Sequence, residues 1–579
     1  RPVIAMFAAL MFRQPQHPDM KLWEERTFEL LRSDMDNNLR LLAASYLSHY
    51  SCWTGDILRA GVVIDVMDEL MKDVVLAPLD FMNVKMQKAV YKWFIADYQG
   101  CLEAVEQGLA EAENSGIHLI DNWLLAQGVY ATLSLDDPEK AKTFLNRMKP
   151  ILLSRRYLDI SHFYYLSSMY HVQKGNMELA LRYIRESLQI ARDMGTPFPE
   201  GLNAITAAQI YFEQGDAGKA QELTMQARDI GRDMQSHLLQ MLSSLNEAYF
   251  ALKTGKPEQA RGALRRALVM RRDKGMVNFS GWSTRFMRQL YAEALRSGIE
   301  VDFVRKSITR RNMPPEMPSS QILDWPWRIK IYTLGRFALA IDGVPLRFKG
   351  KPQLKPLELL KALIALGGRE IGMGRLEDLL WPEAEGDRAR QSLLTTLHRL
   401  RKLTGYEKAI ELKEMKLSLD ERYCWVDVLA LESLCTSLEQ AFAAEHFAGE
   451  EMADWTGMIL DLYRGDFLQN EDTPFWMVPV RTKIRSRFLQ AVTMLGQGWQ
   501  RLGLSEKAVD LYLRGLAVDD MAEEFYQGLM QCYLQQGRTA DGLVLYERCR
   551  EVLAASLQTR PSAETEALRL ALRQEGTKR

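Results

Sequence analysis

A forty-residue period in the first half of the chain limits its fold more than any other sequence feature. Three segments align without gaps, and their glycines stand 40 residues apart, at Gly175, Gly215 and Gly255. Alanines five residues later repeat with the same spacing, at Ala180, Ala220 and Ala260. Glycine permits a left-handed turn between two helices, and alanine lets the second helix pack closely on the first. The period therefore predicts stacked helical hairpins, none of which can bury its apolar face alone.

The same five-residue step from Gly or Asp to Ala occurs earlier, at Gly55/Ala60 and Asp136/Ala141, and strand-like alternation is scarce before residue 310. We therefore expect one helical-repeat domain over 1–310. It resembles the tetratricopeptide-like solenoids of large maltose-regulon-activator-like regulators, which implies a sensor or docking role with a small-molecule or protein inducer on the concave surface. Aromatic residues could line a ligand pocket there, although interhelix core is the commoner role of such side chains: His162, Phe163, Tyr164, Tyr165, Tyr170 and His171.

The composition changes around residue 310. Four prolines and two serines between Thr309 and Trp327 predict a linker at 311–327. Alternating residues from 329 to 348 then predict strands joined by a hairpin turn at Asp342-Gly343. Two helical segments follow, the second ending in Leu379-Leu380-Trp381 before Pro382. A third helix is expected at 387–403, and after it a hairpin with its tip at Lys413–Lys416.

The third helix, DRARQSLLTTLHRLRKL, separates apolar from cationic side chains. At 100° per residue its apolar stripe contains Ala389, Leu393, Leu397, Leu400 and Leu403. The opposite face contains Arg388, Gln391, Thr395, His398 and Lys402, with Arg399 and Arg401 beside it. In a major groove, Arg and Lys can contact guanine, Gln can contact adenine, and flanking cations can contact phosphates. Taken alone, the pattern also fits a solvated amphipathic helix.

The order of strands, three helices and a hairpin resembles an OmpR-like winged helix-turn-helix. The matching motifs are LGRF (334–337), DG (342–343), LLW (379–381) and RLR (399–401). The resemblance implies a DNA-binding domain at 328–425, with the five polar residues of the third helix reading bases and Arg399, Arg401, Lys413 and Lys416 contacting phosphates. Many members have Gly-Tyr in the second wing strand where this chain has Met415-Lys416-Leu417, so insertion of the wing into the minor groove stays open. Residues 328–420 contain 18 Lys/Arg and 12 Asp/Glu, a net charge of +6 against −1 for the whole chain.

The last third has a second period. The pairs Trp499/Tyr533, Gly503/Gly537, Ala508/Gly542 and Tyr512/Tyr546 are each 34 residues apart, the tetratricopeptide spacing. Together with LYRGDFL (462–468), PFW (474–476) and the ending PSAETEALRLAL, these repeats resemble the bacterial transcriptional activator domain of SARP-type regulators. The resemblance implies that residues 426–579 form this domain, that the protein binds double-stranded DNA as a transcription activator, and that RNA polymerase and a second copy of the chain are partners.

The remaining sequence features exclude other classes of protein. The six cysteines have no metal-ligand or disulfide-framework spacing, so we expect no metal, no cofactor and a cytoplasmic location. No run is apolar enough for a membrane span, and the nucleotide-binding loop, serine-hydrolase and zinc-protease motifs are absent, so no enzyme is expected. The opening RPVIAMFAALMF is interpreted as a helix of a longer protein, in which a nucleotide-hydrolysing domain could precede residue 1. The expected fold class is mainly α, and the alternative function is a protein-interaction scaffold whose winged helix does not read DNA.

Overall fold

The computed structural model describes residues 1–73, 76–152, 156–281, 283–311, 313, 315, 325–346, 354–384, 386–444, 449–471 and 474–578. The chain divides into two compact units, 1–313 and 314–579. The described part of the first unit contains sixteen helices: α1 (Pro2–Arg13), α2 (Met20–Leu30), α3 (Asn37–Thr54), α4 (Ile57–Leu70), α5 (Pro78–Phe94), α6 (Tyr98–Ser115), α7 (Asp121–Ser134), α8 (Pro138–Met148), α9 (Tyr157–Gln173), α10 (Met177–Asp193), α11 (Pro197–Glu213), α12 (Ala217–Asp233), α13 (His237–Lys253), α14 (Pro257–Lys274), α15 (Thr284–Arg296) and α16 (Val301–Arg310).

The predicted helical hairpins are confirmed. Gly175, Gly215 and Gly255 have φ of 77°, 90° and 70°, the left-handed region, and each joins the two helices of a pair. The alanines five residues later, in α10, α12 and α14, are fully buried. The residue after the left-handed one often begins the next helix as its N-cap. Asp216, for example, accepts a hydrogen bond from the Lys219 N–H at 2.9 Å.

One hairpin was missed by the sequence analysis. The pair α5–α6 turns at Ala96, whose φ is 62°, and buries Cys101 five residues later. Asp97 caps α6 through the N–H of Gly100 at 3.0 Å, as the other capping aspartates do. Ala and Cys stand here where the repeat otherwise has Gly or Asp and Ala, so the step was not visible as a letter pattern.

The second unit is a small mixed-sheet region followed by helices. Its described strands are β1 (Ile329–Tyr332), β2 (Ala338–Ile341), β3 (Val344–Pro345), β4 (Ile371–Gly372), β5 (Ile410–Lys413), β6 (Lys416–Leu419) and β7 (Cys424–Val426). Its described helices are α17 (Leu354–Ala365), α18 (Met373–Leu380), α19 (Gly386–Thr404), α20 (Asp427–Ala443), α21 (Gly449–Leu462), α22 (Met477–Arg501), α23 (Ser505–Val518), α24 (Glu523–Gln535), α25 (Thr539–Leu557) and α26 (Ala563–Lys578).

Two sheets frame the first three of these helices. One has the order β3-β2-β1-β7, in which β1 and β2 are antiparallel and β7 is parallel to β1. The other has the order β4-β6-β5, all antiparallel. The predicted sequence of strands, three helices and a hairpin is confirmed, as is the turn at Asp342-Gly343, where φ is 48° and 79°. The short strands β4 and β7 were not predicted.

The 34-residue repeats are also confirmed as helical pairs. Gly503 joins α22 to α23 and Gly537 joins α24 to α25, with φ of 74° and 70°. Tyr512 and Tyr546 are buried at equivalent positions of α23 and α25. A Cβ at Gly542 would lie 2.7 Å from the Leu572 side chain of α26, so the alanine found at the equivalent position, Ala508, would require that side chain to shift.

The predicted linker lies mostly outside the described residues. Of 311–327 the structure describes 311, 313, 315 and 325–327, and Trp325 and Trp327 are buried. The bounds of the linker stay a prediction, and its last residues include two large indoles that are withdrawn from solvent. Among the described helices, none is long and apolar enough to cross a membrane.

Candidate nucleic-acid interface

Helix α19 carries the five residues predicted to read bases on one accessible face. Ala389, Leu393, Leu397 and Leu400 are buried and Leu403 is half-buried, so the predicted apolar stripe packs inward. The five polar side chains are all exposed: Arg388, Gln391, Thr395, His398 and Lys402. Among the described residues of this helix the carboxylate is that of Asp387, in the first turn, where the helix dipole stabilises an anion. The face beyond that turn is cationic and hydrogen-bonding.

The four residues predicted to contact phosphates differ in their surroundings. Arg399 and Lys413 are exposed. Lys416 is exposed and lies 3.3 Å from the Glu370 carboxylate, a surface ion pair that stabilises little and leaves the ammonium accessible. Arg401 is half-buried instead, and its guanidinium donates two hydrogen bonds to the carbonyl of Ile410, at 3.0 and 2.6 Å. Arg401 thus fastens the end of α19 to the first hairpin strand, which makes it the weakest of the four phosphate candidates.

The hairpin beside α19 has a two-residue turn. Lys413 pairs with Lys416, and the turn residues Glu414 and Met415 have φ of 49° and 61°. Both central residues are left-handed, as a type I′ turn requires, although neither is the glycine or asparagine such turns favour. The tip therefore presents two lysines with a glutamate between them.

The structure adds one cation that the sequence analysis did not select. Arg390 is exposed on α19, and its Nη2 lies 3.0 Å from the sulfur of Met415 at the hairpin tip. Arg390 points to the side of α19 that faces the hairpin, so the helical periodicity places it away from the face of Arg388. Its place at the candidate interface depends on the packing of α19 beside the hairpin, which the residue types of the helix do not predict.

Trp381, the last residue of the LLW motif, is half-buried. The Lys355 ammonium lies over its ring, 5.8 Å from the ring centroid. The backbone N–H of Trp381 donates to the Glu377 carbonyl at 2.9 Å and closes α18. It acts as a partly exposed cap, so its loss would cost less than that of a core tryptophan.

A buried aspartate connects the four-stranded sheet to the helical part of the unit. Asp427, the first residue of α20, accepts hydrogen bonds from the Thr333 N–H (2.7 and 2.8 Å) and hydroxyl (2.7 Å), and from the Leu334 (2.8 Å) and Val428 (2.7 Å) N–H groups. Burial raises the pKa of this carboxyl and the hydrogen bonds from these donors oppose the shift. In the folded chain, hydrogen-bond donors from two segments therefore take the place of the water molecules that would solvate this carboxylate.

Two sequence motifs meet at the same place. Leu334 forms a β-bridge with Phe467, the Leu468 N–H donates to the Thr333 carbonyl at 2.7 Å, and the Gly335 N–H donates to that of Asp466 at 2.9 Å. LGRF (334–337) is thus bonded to LYRGDFL (462–468) through the main chain. A Cβ at Gly335, whose φ is 86°, would lie 3.1 Å from the Arg464 carbonyl oxygen, so this contact needs glycine.

An ion pair adds to this connection. The Lys361 ammonium of α17 lies 2.7 Å from the Glu471 carboxylate and 4.5 Å from the centroid of the Phe337 ring. Lys361 is nearly buried, which strengthens the interaction relative to an exposed pair. The three helices and the sheet are consequently held to the helices that follow by buried polar contacts.

Comparison with known proteins finds a family model that matches the helices from α20 onward. Residues 426–573 match the family model described as the bacterial transcriptional activator domain. The chain is 25% identical over 228 residues to the regulatory protein AfsR of Streptomyces griseus, and 27% identical over 255 residues to the transcriptional regulatory protein EmbR of Mycobacterium tuberculosis. These matches cover 38% and 42% of this chain, but 22% of AfsR and 62% of EmbR, less than two thirds of either relative.

Solved structures are similar at a coarser level. The structure of EmbR with a low-affinity phosphopeptide gives a TM-score of 0.35 at 21% identity, covering 43% of this chain and 69% of that one. A Rap protein complexed with competence and sporulation factor gives 0.40 at 10% identity, covering 54% and 87%. The predicted resemblance to SARP-type regulators, with an activator domain after a mixed-sheet region, is confirmed by the family match and the two distant regulatory relatives.

Proposed function

We propose that this chain, whose residues 426–573 are a bacterial transcriptional activator domain, is a sequence-specific DNA-binding regulator that activates transcription. In this proposal 328–425 is a winged helix-turn-helix, α19 reads the major groove, and Arg388, Gln391, Thr395, His398 and Lys402 contact base edges. Residues 1–310 receive the signal, and 426–579 contact RNA polymerase or a second copy of the chain. A cytoplasmic location follows from the proposal, because bacterial DNA lies in the cytoplasm.

The observation that carries this proposal is the accessible face of α19. Its leucines are buried against the domain, while five side chains that can donate to base edges or phosphates remain exposed. The local charge of +6 over 328–420, in a chain of net charge −1, favours contact with a polyanion at this place. A scaffold would gain nothing from keeping the exposed face of α19 cationic and, among its described residues, free of acids beyond the first turn.

The test is selection of random double-stranded DNA by the full chain, followed by affinity measurements on the selected sequence. We expect Arg388→Ala and Gln391→Ala to relax the preference at particular base pairs, by about 1–3 kcal/mol each. Lys413→Ala should weaken specific and non-specific DNA alike, because a phosphate contact carries no sequence information. If no sequence is enriched, the scaffold alternative replaces this proposal. If all three variants lose specific and non-specific affinity equally, α19 is not the reading helix.

Salt dependence provides an independent check on the phosphate contacts. Raising the salt concentration from about 50 to 200 mM should lower affinity by orders of magnitude if several phosphates are neutralised. Arg399→Ala should make this dependence shallower, since Arg399 is exposed beside the reading face. Affinity that does not change with salt would contradict the placement of these cations at the interface.

A further inference from the structure

The helical repeats of the first unit wind until they contact their own beginning. Ser236, before α13, donates from its hydroxyl to the Trp53 carbonyl of α3 at 2.7 Å. The Lys274 ammonium at the end of α14 lies 3.3 Å from the Asp56 carboxylate, the N-cap of α4. A Cβ at Gly55 would lie 2.7 Å from the Leu238 backbone nitrogen. Six hairpins, from α3–α4 to α13–α14, therefore complete a closed turn.

The segment after α14 then enters the interior of that turn. The Asn278 N–H donates to the Phe94 carbonyl at 2.8 Å, and its side-chain amide donates to the Trp93 carbonyl at 3.1 Å. Beyond it, the hydroxyls of Ser280 and Tyr165 lie 2.5 Å apart. The segment after α14 therefore closes one side of the space enclosed by the hairpins.

Between these elements lies a cavity of about 820 Å³, including its mouth. It is lined by the first helix of each hairpin, α3, α5, α7, α9, α11 and α13, and by Ser280. Trp53, Trp93 and Trp123 supply much of the wall, and the Phe198 ring is stacked on Trp53 with centroids 4.5 Å apart. Within the described part of the chain, the lining includes no Asp, Glu, Lys or Arg. An ionic ligand would lose its hydration here without gaining a counter-charge.

Neutral polar side chains supply the polarity of the cavity, among them two imidazoles and the amides of Gln127 and Asn203. The His162 Nε2 and Tyr130 hydroxyl lie 3.0 Å apart, and burial lowers the pKa of both His49 and His162 to about 4, so both rings are neutral. His49 lies beside the Gln87 amide, but among the described residues no hydrogen bond of ordinary length and angle joins its ring to a neighbour. The buried Asn203 Nδ2 likewise makes no hydrogen bond within the described structure. Neutral imidazole offers one donor and one acceptor, and an amide nitrogen offers donors, so a ligand can satisfy these groups.

We propose that this cavity is a binding site for an uncharged, planar aromatic small molecule that carries at least one hydrogen-bonding group. Flat aromatic walls match the faces of a planar ring system. A free peptide would bring charged termini into a space whose described lining is uncharged. The site goes beyond the proposed DNA-reading function and does not depend on it.

The experiment uses the full chain and two matched fluorescent probes. N-phenylnaphthylamine is neutral and joins a planar naphthalene to a phenyl ring through one N–H donor. Anilinonaphthalene sulfonate has the same ring systems with an added negative charge. We expect the neutral probe to bind one-to-one with saturable enhancement of its fluorescence. The anionic probe should bind at least about tenfold more weakly, equivalent to about 1.4 kcal/mol.

Three substitutions locate the site. Leu202→Trp on α11 and Leu158→Trp on α9 each fill the cavity from a different helix, and each should weaken the neutral probe about tenfold or more. Leu179→Trp on the exposed side of α10 makes the same change outside the cavity and should leave binding unaltered. Circular dichroism reports whether each variant folds.

The proposal fails if the neutral probe shows no saturable binding, if the anionic probe binds equally well, or if a folded cavity variant binds like the control. If neither cavity variant folds, hydrogen–deuterium exchange of the unaltered chain decides the matter. Protection by the neutral probe should then concentrate in α5, α7 and α9, and protection confined to other helices would overturn the assignment. None of these results bears on whether α19 reads DNA, so the two proposals stand or fall separately.

Discussion

Replacing Asp427 by Asn tests whether the sheet and the activator helices are held together as the contacts indicate. The substitution keeps the shape of the side chain but changes one acceptor oxygen into an NH₂ group facing N–H donors. If Oδ2 becomes the nitrogen, the Leu334 N–H loses its acceptor at 2.8 Å and stays buried. If Oδ1 does, the Thr333 hydroxyl and Val428 N–H lose theirs.

The magnitude follows from these contacts. One buried donor without an acceptor costs about 1–3 kcal/mol, and hydrogen bonds to a charged acceptor contribute about 1.5–3 kcal/mol each, more than those to a neutral one. Removing the charge also removes its desolvation cost, which offsets part of the loss. We therefore expect Asp427→Asn to destabilise the second unit by about 3 kcal/mol.

Thr333→Val is the matched partner, because it deletes the hydroxyl donor and keeps the N–H donor. It should cost about 1 kcal/mol. If Oδ1 is the atom that becomes the nitrogen in Asp427→Asn, the double variant should cost less than the sum of the two, since both then remove the same 2.7 Å bond. The assay is hydrogen–deuterium exchange of the full chain, read at the peptides containing 329–335 and 427–443, together with chemical denaturation. An Asp427→Asn chain with unchanged exchange at both peptides would refute the account of this carboxylate as the connection between them.

Three further predictions address the interface and the cavity. Arg401→Ala should destabilise the second unit by about 1–2 kcal/mol in a denaturation experiment, because the buried Ile410 carbonyl loses two donors. Arg399→Ala should lower only the affinity for DNA. Equal stabilities of the two variants would contradict the structural role of Arg401. Glu414→Gly should stabilise the unit by about 1 kcal/mol, because glycine adopts the left-handed conformation of this turn without strain, and it should strengthen DNA binding by removing the negative charge. Glu414→Gln removes the same charge but keeps a side chain in the left-handed region, so it should strengthen DNA binding without the gain in stability. Burial lowers the pKa of His49 and His162 to about 4, so between pH 7 and pH 5 the folded unit binds fewer protons than the unfolded chain. The free energy of unfolding should therefore be at its full value above pH 6.5 and fall by about 2 kcal/mol per histidine between pH 7 and pH 5. A denaturation midpoint that does not change over that range would contradict the burial of these two rings in the neutral form.

The repeat architecture could be predicted because the backbone conformation at each turn favours particular residue types, which therefore recur at a fixed spacing. A left-handed turn followed by a close helix contact restricts the residue types, so Gly215 and Ala220 recur as letters. Where another residue adopts the same conformation, as Ala96 does with φ of 62°, the letter changes and the hairpin persists. The closure of the six hairpins into one turn could not be predicted, because it depends on the angle that each pair makes with the next.

The cavity shows the same division between local and cumulative information. The aromatic cluster at 162–171 was selected from sequence, but only His162 and Tyr165 of that cluster line the cavity. The tryptophans and phenylalanines of its wall lie on four other helices, distant in sequence and ordinary in their own context. Residue type marked an unusual segment, and the winding of the repeats determined which of its side chains reach the interior.

At the interface, periodicity gave the exposed face of α19 correctly because a helix fixes angles between its own residues. It could not assign Arg390 or Arg401, whose roles depend on what lies beside the helix. Arg390 reaches the hairpin tip and Arg401 holds the first hairpin strand. Contacts with neighbouring elements, which helical periodicity does not include, determine whether a cation stabilises the domain or is available to DNA.

These contacts also bear on which element would read sequence. The hairpin tip places the Glu414 carboxylate between Lys413 and Lys416, in a turn whose main chain is already in an unfavourable region for a side chain. In the narrow minor groove, where the negative potential is strong, that carboxylate would oppose insertion, whereas beside a phosphate backbone the two lysines can still contact the strand from either side. Helix α19 carries no acid beyond its first turn among its described residues, and so meets no such penalty in the major groove. We therefore infer that specificity resides in α19 and that the hairpin contributes phosphate contacts, which is why Lys413 is the natural reference for substitutions on the reading face.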